Sequence, residues 1–112
     1  MMNQILSELP SSSEQLSYQW PQKFSPKISE LPALIERELV KLMNLEREND
    51  WRKFAQLIGI TSQTIEGYKQ QGGMEKVMNV WKTEGGTTKE LFNILNHLQR
   101  MDVLQRLEEL SR

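Results

Sequence analysis

The sequence predicts an all-α fold, a six-helix antiparallel bundle with an N-terminal arm. Apolar residues recur at helical spacing along one face in five stretches, and a shorter, less apolar one lies between the second and the fourth helix. No stretch alternates apolar and polar residues as a half-buried strand would. Gly, Pro or a capping Ser, Thr or Asp separates each stretch from the next.

Residues 1–28 carry neither period and are expected to form a partly flexible arm, with residues 29–112 as the domain. Ile5, Leu6 and Leu9 could make one turn before Pro10. Ser11-Ser12-Ser13 reads as a joint, and Pro21 and Pro26 keep the following part extended. Tyr18, Trp20 and Phe24 are expected to dock on the bundle, with a partner-binding segment as the alternative. The arm is expected to be dispensable for folding, because the first helix has its own start signals.

That helix is expected from Ser29 to about Asn44. Ser29 is its cap and Pro32 lies in its first turn, with Leu31, Leu34, Ile35, Leu39, Leu42 and Met43 on one broad face. The second helix, Asn49 to Gly59, organises the rest. Asn49 or Asp50 can cap it, and Trp51, Phe54, Ala55 and Ile58 share a face. Two large rings on so short a helix bring more apolar area than it can cover alone, so other segments must pack around it.

A third helix, short and weakened by Gly67, follows Thr61 and carries Ile65. After the Gly72-Gly73 loop, Met74, Val77, Met78 and Trp81 give a fourth, which Gly85-Gly86 ends. The methionines share a stripe with Val and Trp, so they read as core filler. Thr87 and Glu90 form a capping box for a fifth helix with Leu91, Ile94, Leu95 and Leu98. Asp102 and Gln105 repeat that pattern before a sixth, with Val103, Leu104, Leu107 and Leu110 inside.

Composition narrows the function classes. A chain of 112 residues without Cys is large enough to fold as one domain without a disulfide or metal. Fourteen basic against fifteen acidic side chains leave a formal charge of −1, which argues against an unselective polyanion binder. No apolar run approaches a membrane span, and no basic region precedes an apolar one at the N-terminus, so a soluble intracellular domain is the default. His97 is the lone imidazole, and with no Cys or second His a metal site is not expected. Neither a nucleophile elbow nor a phosphate-cradling Gly loop is present, so no enzyme activity, catalytic residue or cofactor is assigned.

The series Asn49-Asp50-Trp51-Arg52-Lys53-Phe54-Ala55 to Gly59, then Ile65, Val77 to Trp81, Thr87-Thr88 to Leu91, and Leu98 through Arg100, Asp102, Val103 and Leu104 resembles the death domain. The likeness runs from about Ser29 to Leu110. The short Trp81-to-Thr87 connection and the Arg100-Met101-Asp102-Val103 turn are most similar to the adaptor and kinase death domains of Toll and interleukin-1 receptor signalling. The start of the second helix also resembles netrin-receptor death domains, and the last two helices ankyrin's.

This resemblance implies a non-catalytic, cytoplasmic adaptor in innate-immune or apoptotic signal transduction. Its partners would be other death-domain proteins, with possible self-association into helical oligomers, and neither nucleic acid nor membrane is expected. Death domains pair unlike charged patches from separate faces. The corresponding residues here are those the helical periods leave outside: Glu36, Arg37 and Lys41; Arg52 and Lys53; Glu66 and Lys69; Lys76 and Lys82. Arg52 and Lys53 are the leading pair, because they are held beside the buried Trp51 and Phe54.

A helix-turn-helix DNA-binding domain over residues 51–69 is the competing expectation. Ala55, Gly59 and Ile65 fit its crossing, and Ser62, Gln63, Thr64 and Tyr68 would face bases. Glu66, Gly67 and the slightly acidic chain weigh against it.

Overall fold

The computed structural model describes residues 18–44 and 50–112. Seven α-helices occur among them: α1 (Trp20–Lys23), α2 (Ala33–Asn44), α3 (Asp50–Leu57), α4 (Ser62–Tyr68), α5 (Met74–Thr83), α6 (Thr88–His97) and α7 (Met101–Leu110). Helices α2 to α7 are the six the sequence predicts. The described residues hold no strand, only an isolated antiparallel bridge between Lys27 and Thr87. A Cα radius of gyration of 13.0 Å is that of a close-packed single domain of this size.

The first bundle helix starts later than its signals suggest. Ile28–Glu30 forms a 3₁₀ turn that contains Ser29, and Leu31 is extended (φ −61°, ψ 141°) because Pro32 bars it from the helical region. The Pro32 carbonyl then accepts from the Glu36 amide at 3.1 Å, so Pro32, not Ser29, stands at the threshold of α2. Ile35, Leu39 and Met43 are the buried stripe of α2. Leu34, expected on that face, is 58% exposed, because Leu31, arriving from the extended segment, supplies the buried contact ahead of Ile35.

Helix α3 buries Trp51, Phe54 and Ala55, and Ile58 beyond its end is fully buried. Gly59 ends it with φ +96°, a conformation that favours Gly, which lets the Ile60 amide reach back to the Ala55 carbonyl at 3.0 Å. The Asn49 cap lies outside the described residues. Asp50 is part of the helix and spends its carboxylate on Arg100. Thr61 caps α4 by accepting from the Thr64 amide at 3.3 Å, and Ile65 is the one buried residue there.

The start of α5 is capped from another helix. Asn44, at the end of α2, accepts from the Met74 amide through Oδ1 and donates to the Gly72 carbonyl through Nδ2, both at 3.0 Å. Gly73 (φ +58°) lies against the Trp51 ring, where a Cβ would come within 3.1 Å of it. Met74, Val77, Met78 and Trp81 are all buried as their spacing predicts. Trp81 meets Phe54 edge-to-face at 5.2 Å, which ties α5 to α3 at the core.

The Thr87–Glu90 capping box forms, with 3.1 and 3.0 Å bonds. The Asp102–Gln105 box does not. Helix α7 starts at Met101, so Asp102 falls inside the first turn, and its carboxylate receives the Arg100 guanidinium at 2.9 Å through each oxygen. Arg100 is buried and also donates to Asp50 Oδ2 at 2.7 Å and to the Leu42 carbonyl at 3.0 Å, joining α2, α3 and α7 at one end of the bundle.

Residues 18–28 lie on the bundle. Trp20 is fully buried against Phe24 and Phe92, and Tyr18 also meets Phe92 edge-to-face. The Glu108 carboxylate accepts from the Gln19 and Trp20 amides at 2.7 and 3.0 Å. Farther along, the Ile28 amide donates to Gly86, the Thr88 amide to Pro26 and the Thr88 hydroxyl to Ser25. Trp20 and Ile28, from the expected arm, belong to the core. The rest of the arm, residues 1–17, lies outside the described residues.

Candidate interaction surface

The nine charged residues singled out from the sequence do not converge on one site. Glu36 and Lys82 form an ion pair from α2 to α5, with Nζ 2.9 and 3.1 Å from the two carboxylate oxygens. They line a shallow depression of about 390 Å³ with Ala33, Arg37, Val40 and Glu75. Arg37 and Lys41 are exposed one turn apart on α2. This face therefore carries a neutralised centre, two outlying cations, and the exposed Leu34 beside them.

A second face belongs to α3 and α4. Arg52 pairs with Glu66 across these helices, and its guanidinium carbon also sits 5.0 Å from the centre of the Trp51 ring. Arg52 is thus partly buried and engaged, whereas its neighbour Lys53 is exposed and makes no ion pair among the described residues. Lys69 is exposed on the 3₁₀ turn Lys69–Gln71 after α4. Lys76 is half-buried on α5, with Nζ 5.8 Å from the Tyr68 ring centre. Of the leading pair, Lys53 alone is exposed and unpaired among the described residues.

Sequence reasoning placed Leu34 inside, and it did not single out Glu75 on the first face or Met101, 44% exposed, at the start of α7. Only the offset of Leu34 from the Ile35–Leu39–Met43 stripe could have flagged it. The chemistry offered is multivalent ionic contact around small apolar points. Among the described residues no three His, Cys, Asp or Glu side chains stand close enough to hold a metal, and His97 is exposed. No helix of the described residues is long and apolar enough to cross a membrane.

Of the residues a DNA reader would use, Thr64 and Tyr68 are engaged, the Thr64 hydroxyl with that of Thr61 and the Tyr68 ring with Lys76, while Ser62 and Gln63 are exposed; Arg52 on α3 is neutralised by Glu66. Nothing supports that alternative.

The electrostatics of the buried end differ from those of the surface. Hydrogen bonding to Arg100 holds the Asp102 carboxyl below its ordinary value, against a smaller opposing effect of burial. The same bond, with Asp50 adding to it, holds the Arg100 guanidinium above its own, against the opposing effect of burial. This cluster is structural, because Arg100 is only 3% exposed.

The family model described as Death domain matches residues 36–111, most of the chain. No curated protein and no solved structure matches it.

Proposed function

The chain belongs to the death-domain family, and we propose that it acts as a cytoplasmic adaptor that binds other death domains in innate-immune or apoptotic signalling. Members of this family are protein-interaction modules, and the six-helix bundle is the form such a module takes. The single observation that carries the reading is the family match across α2 to α7. The proposal extends to subfamily: the short Trp81-to-Thr87 connection favours the adaptors and kinases of Toll and interleukin-1 receptor signalling. Residues 29–112 would be the interaction domain, with 18–28 laid on it as a strap.

The contact surfaces proposed are the two faces above. One is Glu36, Arg37, Lys41 and Lys82; the other is Arg52, Lys53, Glu66 and Lys69, with Lys76 beside it. The two faces lie on different helices and both carry an excess of cations, so each suits an acidic patch on a partner death domain, and such heterologous contacts need not close into a twofold dimer. Such contacts steer and register partners mainly through charge, so they should weaken as salt rises. Light scattering after size-exclusion chromatography, on the chain alone and mixed with candidate death domains, tests the proposal. A salt-sensitive complex larger than a dimer is expected. A strict monomer in every mixture would refute homotypic binding.

A further inference from the structure

We infer that residues 18–24 form a latch that opens and closes while the six-helix bundle stays folded, with Glu108 as its catch. The segment is held at two separate places. Ser25 to Ile28 is stitched to Gly86, Thr87 and Thr88, at the turn between α5 and α6. Residues 18–24 are held instead through Glu108 on α7 and the rings of Trp20, Tyr18 and Phe92. Between the two lies Phe24, in extended conformation (φ −92°, ψ 159°), followed by Ser25 and Pro26. Release of the second attachment leaves the first intact.

The catch has a chemistry of its own. A carboxylate that accepts from two successive backbone amides makes charge-assisted bonds and recognises main chain, not side chains. The docked state also carries a flaw, because the Trp20 indole N–H is buried with no hydrogen-bond partner among the described residues. A buried donor left unpaired opposes docking, and opening returns it to water. The bundle beneath does not depend on the latch for its central contact, which is Phe54 on Trp81. The family match, starting at Glu36, does not include it either. Opening would bare Phe92, 6% exposed when covered, next to the Glu108 carboxylate. The latch therefore controls access to an aromatic and acidic face between α6 and α7. This inference stands apart from the homotypic reading, since it concerns a different face and needs no partner.

Amide hydrogen exchange of the full chain, followed residue by residue in increasing urea, tests it. The Gln19 and Trp20 amides should exchange at least tenfold faster, relative to their intrinsic rates, than Leu39 and Met78 in α2 and α5, and with a shallower urea dependence. Glu108→Ala should speed strap exchange about tenfold, with Glu108→Gln, which keeps an acceptor but loses the charge, between the two. Ile65→Val in distant α4 weakens closed and open forms alike. It should speed exchange of Leu39 and Met78 about threefold while leaving Gln19 and Trp20 unchanged. If the strap amides share the protection and urea slope of the core and follow Ile65→Val, the segment unfolds only with the bundle and the inference is wrong. Unaltered strap exchange in both Glu108 variants would equally overturn it.

Discussion

Replacing Arg100 with Ala should be among the most damaging single changes outside the apolar core. Its guanidinium lies 2.7 Å from Asp50, 2.9 Å from each Asp102 oxygen and 3.0 Å from the Leu42 carbonyl. The Asp50 and Asp102 sides are unequal. Asp50 is 8% exposed, so truncating Arg100 strands a buried carboxylate, a loss of about 3–5 kcal/mol. The Asp102 side chain is 54% exposed and can be resolvated, so it contributes only as a surface pair does. At about 4 °C per kcal/mol for a chain of this length, the melting temperature should fall by about 12–20 °C. Urea titration followed by tryptophan fluorescence reads the same loss where the melt is too low to fit. The companion is Arg100→Met with Asp50→Leu, which removes both charges and should recover much of the deficit. Two results would refute the reasoning: an Arg100→Ala midpoint within about 1 kcal/mol of the parent, or a double variant no better than the single one.

The same cluster sets a pH dependence. Asp102 has its folded value lowered from the ordinary 3.8, chiefly by the hydrogen bond from Arg100, so its stabilisation is complete above that value and is lost as pH falls through the lower folded one. The urea midpoint should decline below about pH 4, and Asp102→Asn should flatten that limb. Gly86→Ala should lower the melting temperature by several degrees, because its Cβ would stand 2.6 Å from Cδ2 and Nε1 of the 2% exposed Trp81. Trp51→Ala and Trp81→Ala should each lose about 3–5 kcal/mol in the same titration, and parental stability in either would contradict the core described. Lys53→Glu should leave the circular-dichroism melt nearly unchanged while weakening assembly measured by light scattering. Arg52→Glu should lower the melt as well, since it faces Glu66 and covers Trp51. A chain starting at Lys27 should still unfold cooperatively, but at lower urea for want of Trp20; a non-cooperative transition would make the strap part of the domain.

Local order and spacing were legible in the sequence because they depend on neighbours along the chain. Periodicity placed α5 and α6 nearly residue for residue, and the Thr87–Glu90 box could be read because both of its bonds lie within four residues. Only the tertiary structure decided what each polar group would meet. The Asp102–Gln105 pattern is as regular as the true box, yet Arg100 takes the carboxylate, because a buried guanidinium needs partners from any direction. Asn44 caps α5 across a gap of 30 residues, and Glu108 binds Gln19 across 89, pairings no local pattern encodes. The surface divides the same way. Helical period showed that Arg52 and Lys53 lie near a buried face, but only the approach of α4 made Arg52 a partner of Glu66 and left Lys53 free. Spacing along a chain specifies which side of a helix is apolar; the packing of helices specifies which charges remain for another molecule.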